Sequence, residues 1–282
     1  MKDFNNLKIT LTNIQPLARG GQKEVFTASH PTHGEVVLKL FFAANDPRSQ
    51  REIEIGRTNI TGIPVIFETG RLMYNGNDTL YIIEEKVAGI DLKARLEYGE
   101  RFNLKQAVDF LEQSLQFICQ IEKMGIVHRD IKPANIILSD NGQVHFLDFG
   151  IARVIGEMSL TKTEAIFGPC TPGYAAPEQF NNLKKDIDSR ADLFSIGVVT
   201  YECITGTNPF QEGARSQLEM LLKTETITPV AHNIKGDNEH QFMGILGSLM
   251  GKYPSRRPQN ATQAIDWLEA AKPTLSYEEG GE

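Results

Sequence analysis

Residues 126–138, IVHRDIKPANIIL, place a carboxylate (Asp130), an ammonium (Lys132) and an amide (Asn135) in one short stretch. A second carboxylate, Asp148, follows in LDFG at 147–150. Carboxylate and amide oxygens are hard donors that suit Mg2+, and a positioned carboxylate can take the proton of an attacking hydroxyl. Near the start, LARGGQKEVF at 17–26 reads as a reduced form of the phosphate-covering pattern G-x-G-x-x-G-x-V. Ala18 and Lys23 stand at its first and third glycine positions, and Gly20 remains with Gly21 beside it. Phosphate chemistry asks a protein mainly for positioning and charge neutralisation, which such groups supply.

His128-Arg129-Asp130 with Asn135, followed by Asp148-Phe149-Gly150, matches the patterns H-R-D-x-x-x-x-N and D-F-G. Here the chain resembles the bacterial serine/threonine protein kinases of the eukaryotic-like (Hanks) type, over residues 17–258. The resemblance implies an α+β bilobal protein kinase fold: a small antiparallel-sheet N-lobe with one main helix, then a larger helical C-lobe. It implies Asp130 as the base, Lys132 as a γ-phosphate contact typical of serine/threonine specificity, and Asn135 and Asp148 as ligands of Mg2+ or Mn2+. VVLK at 36–39 resembles the strand that carries the phosphate-facing lysine, Lys39. Its partner is expected to be Glu52, with Glu54 as the rival. ATP is the implied nucleotide. Leu17, Val25 and Val37 are expected on one side of the adenine and Ile137 on the other. Gly20 and Gly21 form the flexible point of the loop, and the main chain of Glu85-Lys86-Val87 is the hinge. Glu84 falls just before the hinge, where an apolar residue or Thr is usual. A buried carboxylate there must be solvated, paired or neutral, and Lys39 is its candidate partner.

The segment from Asp148 to Ala176-Pro177-Glu178 resembles an activation segment ending in A-P-E. The resemblance pairs Glu178 with Arg257 and gives Asp192 the role of holding the catalytic loop backbone. Thr161 and Thr163 are candidate phosphorylation sites, with Arg129 and Arg153 as a receptor for the phosphate. Thr171 is expected to touch Asp130, while Cys170 stands where a glycine normally precedes it. Lys23 is expected as a solvated lysine at the loop tip, or one that reaches the phosphates or pairs with Glu24. Its replacement by glycine is expected to change the ATP KM by less than about tenfold. Ala18 and Lys23 each incur roughly 1–2 kcal/mol if the loop forces them left-handed.

These groups need elements to carry them. Residues 1–87 read as strand-rich, with strands at 24–29, 35–42 and 79–85 and one helix at 47–59. His30 and His33 lie in the turn between the first two and are expected to be solvated. From residue 91 the pattern is helical. Leu104, Ala107, Val108, Leu111, Leu115, Ile118 and Cys119 recur at helical spacing after a candidate cap, Asn103, and before Gly125. The run at 190–206 is apolar all round, as in a helix buried on most sides. Further helices are expected at 239–250 and 260–271. The lobes are expected at 1–87 and 88–272 of a single domain, with a short acidic tail at 273–282.

The chain has 282 residues, 40% apolar and 23% charged, which is ordinary globular composition. A net charge of −7 argues against broad nucleic-acid binding. No apolar leader and no membrane-length apolar run are visible, so a cytoplasmic catalytic domain is expected. The cysteines are Cys119, Cys170 and Cys203, an odd set that suits free thiols; the first and third are expected in the core. Expected partners are ATP and a protein carrying Ser or Thr, with a transient homodimer for autophosphorylation in trans. Two other readings remain: a pseudokinase scaffold that keeps the fold with a degenerate glycine loop, and a small-molecule phosphotransferase.

Overall fold

The computed structural model describes residues 2–43, 45, 47–58, 60–149, 153–154, 170–181 and 187–277. The chain divides into two compact units, one of Met1–Ala88 with Leu147–Gly150 and one of Gly89–Phe146 with Ile151–Glu282.

The first unit is built on a six-stranded sheet. Its elements are β1 (Lys2–Asp3), α1 (Phe4–Thr10), β2 (Thr12–Arg19), β3 (Lys23–His30), β4 (Gly34–Phe41), α2 (Pro47–Gly56), β5 (Ile66–Tyr74) and β6 (Asn77–Glu85). The spatial order is β1-β5-β6-β4-β3-β2, antiparallel except that β1 runs parallel to β5. Side chains alternate across a strand, and directly opposed residues share a face. Lys23 opposes Phe41, Val25 opposes Lys39, Val37 opposes Glu84 and Lys39 opposes Ile82. All of these therefore lie on one face. The other face carries Phe26, Ala28, Val36, Leu38, Leu40, Tyr81 and Ile83, packed with Leu7 and Leu11 from α1 and its exit. On the first face Ile53 of α2 joins Phe41, Leu80 and Ile82. Each face thus has its own helix.

The sequence expectations change here, and strands β2 and β5 join the three expected ones. The first half holds two helices among the described residues, not one, because Phe4, Leu7 and Leu11 present a short apolar stripe that the sheet buries. Helix α2 stops at Gly56, short of residue 59; Thr58 turns its hydroxyl onto the Ile55 carbonyl at 2.6 Å. The turn imidazoles are also tied down. His30 Nδ1 accepts the main-chain N–H groups of Thr32 and His33, and the His33 ring stacks on Phe67 at 4.0 Å.

The second unit is mainly helical. It comprises β7 (Ile90–Asp91), α3 (Leu92–Glu97), α4 (Leu104–Lys123), β8 (Ile126–Val127), β9 (Ile136–Leu138), β10 (Val144–Phe146), β11 (Arg153–Val154), α5 (Pro177–Phe180), α6 (Ser189–Thr205), α7 (Gln217–Thr226), α8 (Gln241–Leu249) and α9 (Ala261–Ala271). Helix α4 opens with a reciprocal cap. The Asn103 side chain accepts the Gln106 N–H, and the Gln106 side chain accepts the Asn103 N–H. Its apolar stripe is buried where α4 packs on α6 and α9. Cys119, expected in the core, is only half-buried, with Sγ 3.6 Å from Thr262 Oγ1. Helix α6 buries nearly every side chain, as its apolar sequence requires, and ends at Gly206 with φ 81°. No helix among the described residues is long and apolar enough to cross a membrane.

The α1 packing gives a direct test. Leu7 is 3% exposed and Ile9 is 82% exposed. In urea unfolding, Leu7→Ala is expected to lose about 2–5 kcal/mol, whereas Ile9→Ala stays within about 0.5 kcal/mol of wild type.

Candidate functional site

In the first unit five charged groups form one network. Lys39 Nζ lies 2.6 Å from Glu52 and 2.8 Å from Glu84. Lys23 Nζ lies 3.2 Å from the other Glu52 oxygen and 3.0 Å from Asp148. The choice between Glu52 and Glu54 follows from the helix: two positions turn about 200°, so Glu52 is buried and Glu54 is exposed. Glu84 sits on the same sheet face as Lys39, one strand over. Burial opposes the Lys39 ammonium, but Glu52, Glu84 and Asp148 outweigh it and hold its pKa above the usual lysine range. Burial raises the Glu84 pKa, with Lys39 pulling the other way.

Lys23 is not a freely solvated lysine at a loop tip: its side chain is 17% exposed. It does not pair with Glu24, because neighbours on a strand point to opposite faces. Glu24 goes to the other face and accepts the Tyr74 hydroxyl at 3.1 Å. Lys23 follows Val25 and Lys39 onto the charged face, where its ammonium also lies 5.4 Å over the Phe41 ring. Ala18 and Lys23 are not among the residues with positive φ, so the strain expected of a non-glycine loop does not arise. The Gly20 N–H closes the turn on the Lys23 carbonyl at 2.9 Å. Val25 and Val37 share the charged face, and Leu17 is 60% exposed. At the expected hinge, the Glu85 N–H is taken by the Val65 carbonyl at 2.8 Å, while Val87 is buried.

In the second unit Asp130 is held from several directions. Thr171 donates its hydroxyl to Oδ1 at 2.7 Å, and Lys132 Nζ lies 2.7 Å from Oδ2 and 3.1 Å from Thr171 Oγ1. Asn135 Nδ2 donates to Oδ2 at 2.9 Å and to the Asp130 carbonyl at 3.0 Å. That orientation leaves Asn135 Oδ1 as the oxygen able to ligate a cation. Ile137 lies in β9, paired with His145 and Asp91. Cys170, in place of a glycine, does not prevent the Thr171 contact. Its thiol pKa is pushed up by burial and then by Asp130.

The catalytic loop backbone hangs on α6. Asp192 accepts the N–H groups of His128 and Arg129, each at 2.8 Å. Gln179 Nε2 donates to the Arg129 carbonyl at 2.9 Å, a contact the sequence did not signal. These bonds fix Arg129 at φ 71°, an uncommon geometry for a non-glycine residue. Glu178 and Arg257 form a buried two-pronged pair at 2.6 and 3.0 Å. Arg257 also reaches the carbonyls of Arg190 and Gly251 and lies over the Phe194 ring. Thr161, Thr163, Gly150 and the side chain of Arg153 lie outside the described residues. Among those described, no group of three or more His, Cys, Asp or Glu forms a metal cage.

The protein kinase domain family matches residues 11–268, so this chain belongs to that family. It is 31% identical over 275 residues to a probable serine/threonine-protein kinase PknB of Corynebacterium glutamicum, covering 93% of this chain and 42% of that protein. It is 30% identical over 274 residues to PknA of Mycobacterium tuberculosis, covering 94% and 57%. It is 34% identical over 257 residues to PknB of Mycolicibacterium smegmatis, covering 88% and 40%. The chain thus spans 40% to 57% of the length of these relatives.

Two outcomes follow from the buried charges. Glu52 serves both ammoniums, so Glu52→Gln should cost about 3–5 kcal/mol in denaturation. Glu84→Gln leaves Lys39 its Glu52 partner and should stay within about 1.5 kcal/mol. Burial lifts the Asp192 pKa to about 7, against the lowering effect of its backbone bonds. The folded state therefore binds a proton that the unfolded state has lost between about pH 4 and 7. The contribution of Asp192 is present below about pH 4 and declines as pH rises through about 7. The stability advantage of wild type over Asp192→Asn should be larger at pH 5 than at pH 8.

Proposed function

We propose that the chain is an ATP-dependent serine/threonine protein kinase that transfers the γ-phosphoryl group to protein hydroxyls. The observation that carries this reading is the arrangement around Asp130. Thr171, Lys132 and Asn135 all orient one carboxylate, as a base needs. In the proposed reaction a substrate Ser or Thr oxygen forms a bond to the γ-phosphorus as the bond to the β-phosphate bridging oxygen breaks. Asp130 receives the hydroxyl proton. Lys132 lies beside it, where its ammonium can balance charge moving onto the phosphoryl oxygens. Lys39, kept charged by its carboxylates, is assigned to the nucleotide phosphates.

The cation-holding roles go to Asn135 Oδ1 and the Asp148 carboxylate; a bound Mg2+ or Mn2+ would neutralise phosphate charge. The adenine contacts are assigned to Leu17, Val25, Val37 and Ile137 with the main chain of Glu85 and Val87, and Gly20-Gly21 to the loop over the phosphates. The whole of 1–282 is taken as one kinase domain. Glu178, Asp192 and Arg257 are assigned the support of the catalytic loop and activation segment. Phosphorylation of Thr161 or Thr163, by a second copy in a transient homodimer, is the proposed activating event. The cytoplasm, where ATP is available and the three free thiols stay reduced, is the proposed compartment.

The test is γ-phosphate transfer from labelled ATP to casein with Mg2+. Wild type is expected to transfer, and Asp148→Asn to fall below about one thousandth of it, a loss of roughly 4 kcal/mol. A folded wild type that binds ATP and transfers nothing would establish the pseudokinase reading instead.

A further inference from the structure

We propose that Lys23 is a second phosphate-binding cation, contacting nucleotide phosphate oxygens beside Lys39. The assignment rests on the nucleotide-binding reading above. Alternation along β3 sends Lys23 to the same face as Val25, and pairing across to β4 sets both beside Lys39. The two lysines then share Glu52: Lys39 lies 2.6 Å from Oε1, and Lys23 lies 3.3 Å from Oε1 and 3.2 Å from Oε2.

The charge around them explains why a second cation is needed. Glu52, Glu84 and Asp148 are three carboxylates in one network. Against Lys39 alone they would present a formal charge near −2 to a polyphosphate, an already anionic ligand. Lys23 brings that to −1. Glu84 is the unusual member, and it is turned onto Lys39 rather than Lys23. Lys39 therefore answers to two buried carboxylates and is itself buried. Lys23 is 17% exposed and Asp148 37% exposed, so their pair forms the accessible end of the network. An incoming phosphate meets the Lys23 ammonium there, and a cation arriving at Asp148 would free that ammonium for the phosphate.

A purely structural clamp would behave differently, because it would respond equally to ligands with and without phosphates. Titration calorimetry of the whole chain with ATP and with adenosine, both in Mg2+, separates the two. Lys23→Met is expected to raise the Kd for ATP about tenfold or more and to leave that for adenosine within about twofold. Lys23→Arg should keep ATP within about threefold. Should the Met variant fail to fold, Lys23→Gln, neutral and similar in reach, is read by the same criteria. Unchanged ATP affinity, or a parallel loss for ATP and adenosine, would overturn the proposal. A folded wild type that binds adenosine and ATP equally weakly would instead overturn the nucleotide reading and this assignment with it.

Discussion

The first unit turns on one buried carboxylate. Glu52 lies within 2.6 Å of Lys39 and 3.2 Å of Lys23, and two strands and a helix must be in register for that to happen. A charge removed from water is tolerated only when paired. The pairing therefore ties α2 to β3 and β4, alongside the apolar contact of Ile53 with Phe41 and Ile82. Glu84 extends the constraint to β6, and Asp148 brings in the segment Leu147–Gly150, which belongs to the same unit. The face that carries this network also holds the apolar cluster of Phe41, Leu80 and Ile82 with Ile53 of α2. The opposite face is closed with aliphatic and aromatic side chains under α1.

The second unit uses the same device with main-chain partners. Asp192, buried in α6, spends both oxygens on the N–H groups of His128 and Arg129. Gln179 takes the Arg129 carbonyl, and the Glu178–Arg257 pair anchors the helix that carries Gln179. Asp130 is thus presented by a loop whose backbone has few unspent hydrogen-bonding groups. Its carboxylate is then aimed by Thr171, Lys132 and Asn135. Rigidity comes first from the backbone and then from the side chains, which is the order a proton acceptor requires.

Much of this was legible in the sequence where the signal was a residue type at a fixed spacing. The stretch at 126–138, the LDFG motif and the strand at Lys39 identified their groups because each motif is local. Glu52 was less certain because a helix face decides it, and Glu54 differs only by rotation. What stayed hidden depended on pairing between strands. Lys23 read as a loop-tip residue, yet it begins β3, and alternation from Val25 already implied the face it occupies. Helix α1 had a signal in Phe4, Leu7 and Leu11, but seven residues are too few to stand out without the sheet that buries them. Gln179 had no signal, since none of the motifs read in the sequence assigns its amide to the Arg129 carbonyl.

The central claim is that Lys23 and Lys39 act as one unit through Glu52, and a double-mutant cycle on nucleotide affinity tests it. The Kd for ATP is measured for wild type, Lys23→Met, Lys39→Met and the double variant. Shared use of one carboxylate predicts that the double change differs from the sum of the single changes by at least about 0.5 kcal/mol. Additivity within about 0.3 kcal/mol would show two independent lysines and contradict the account.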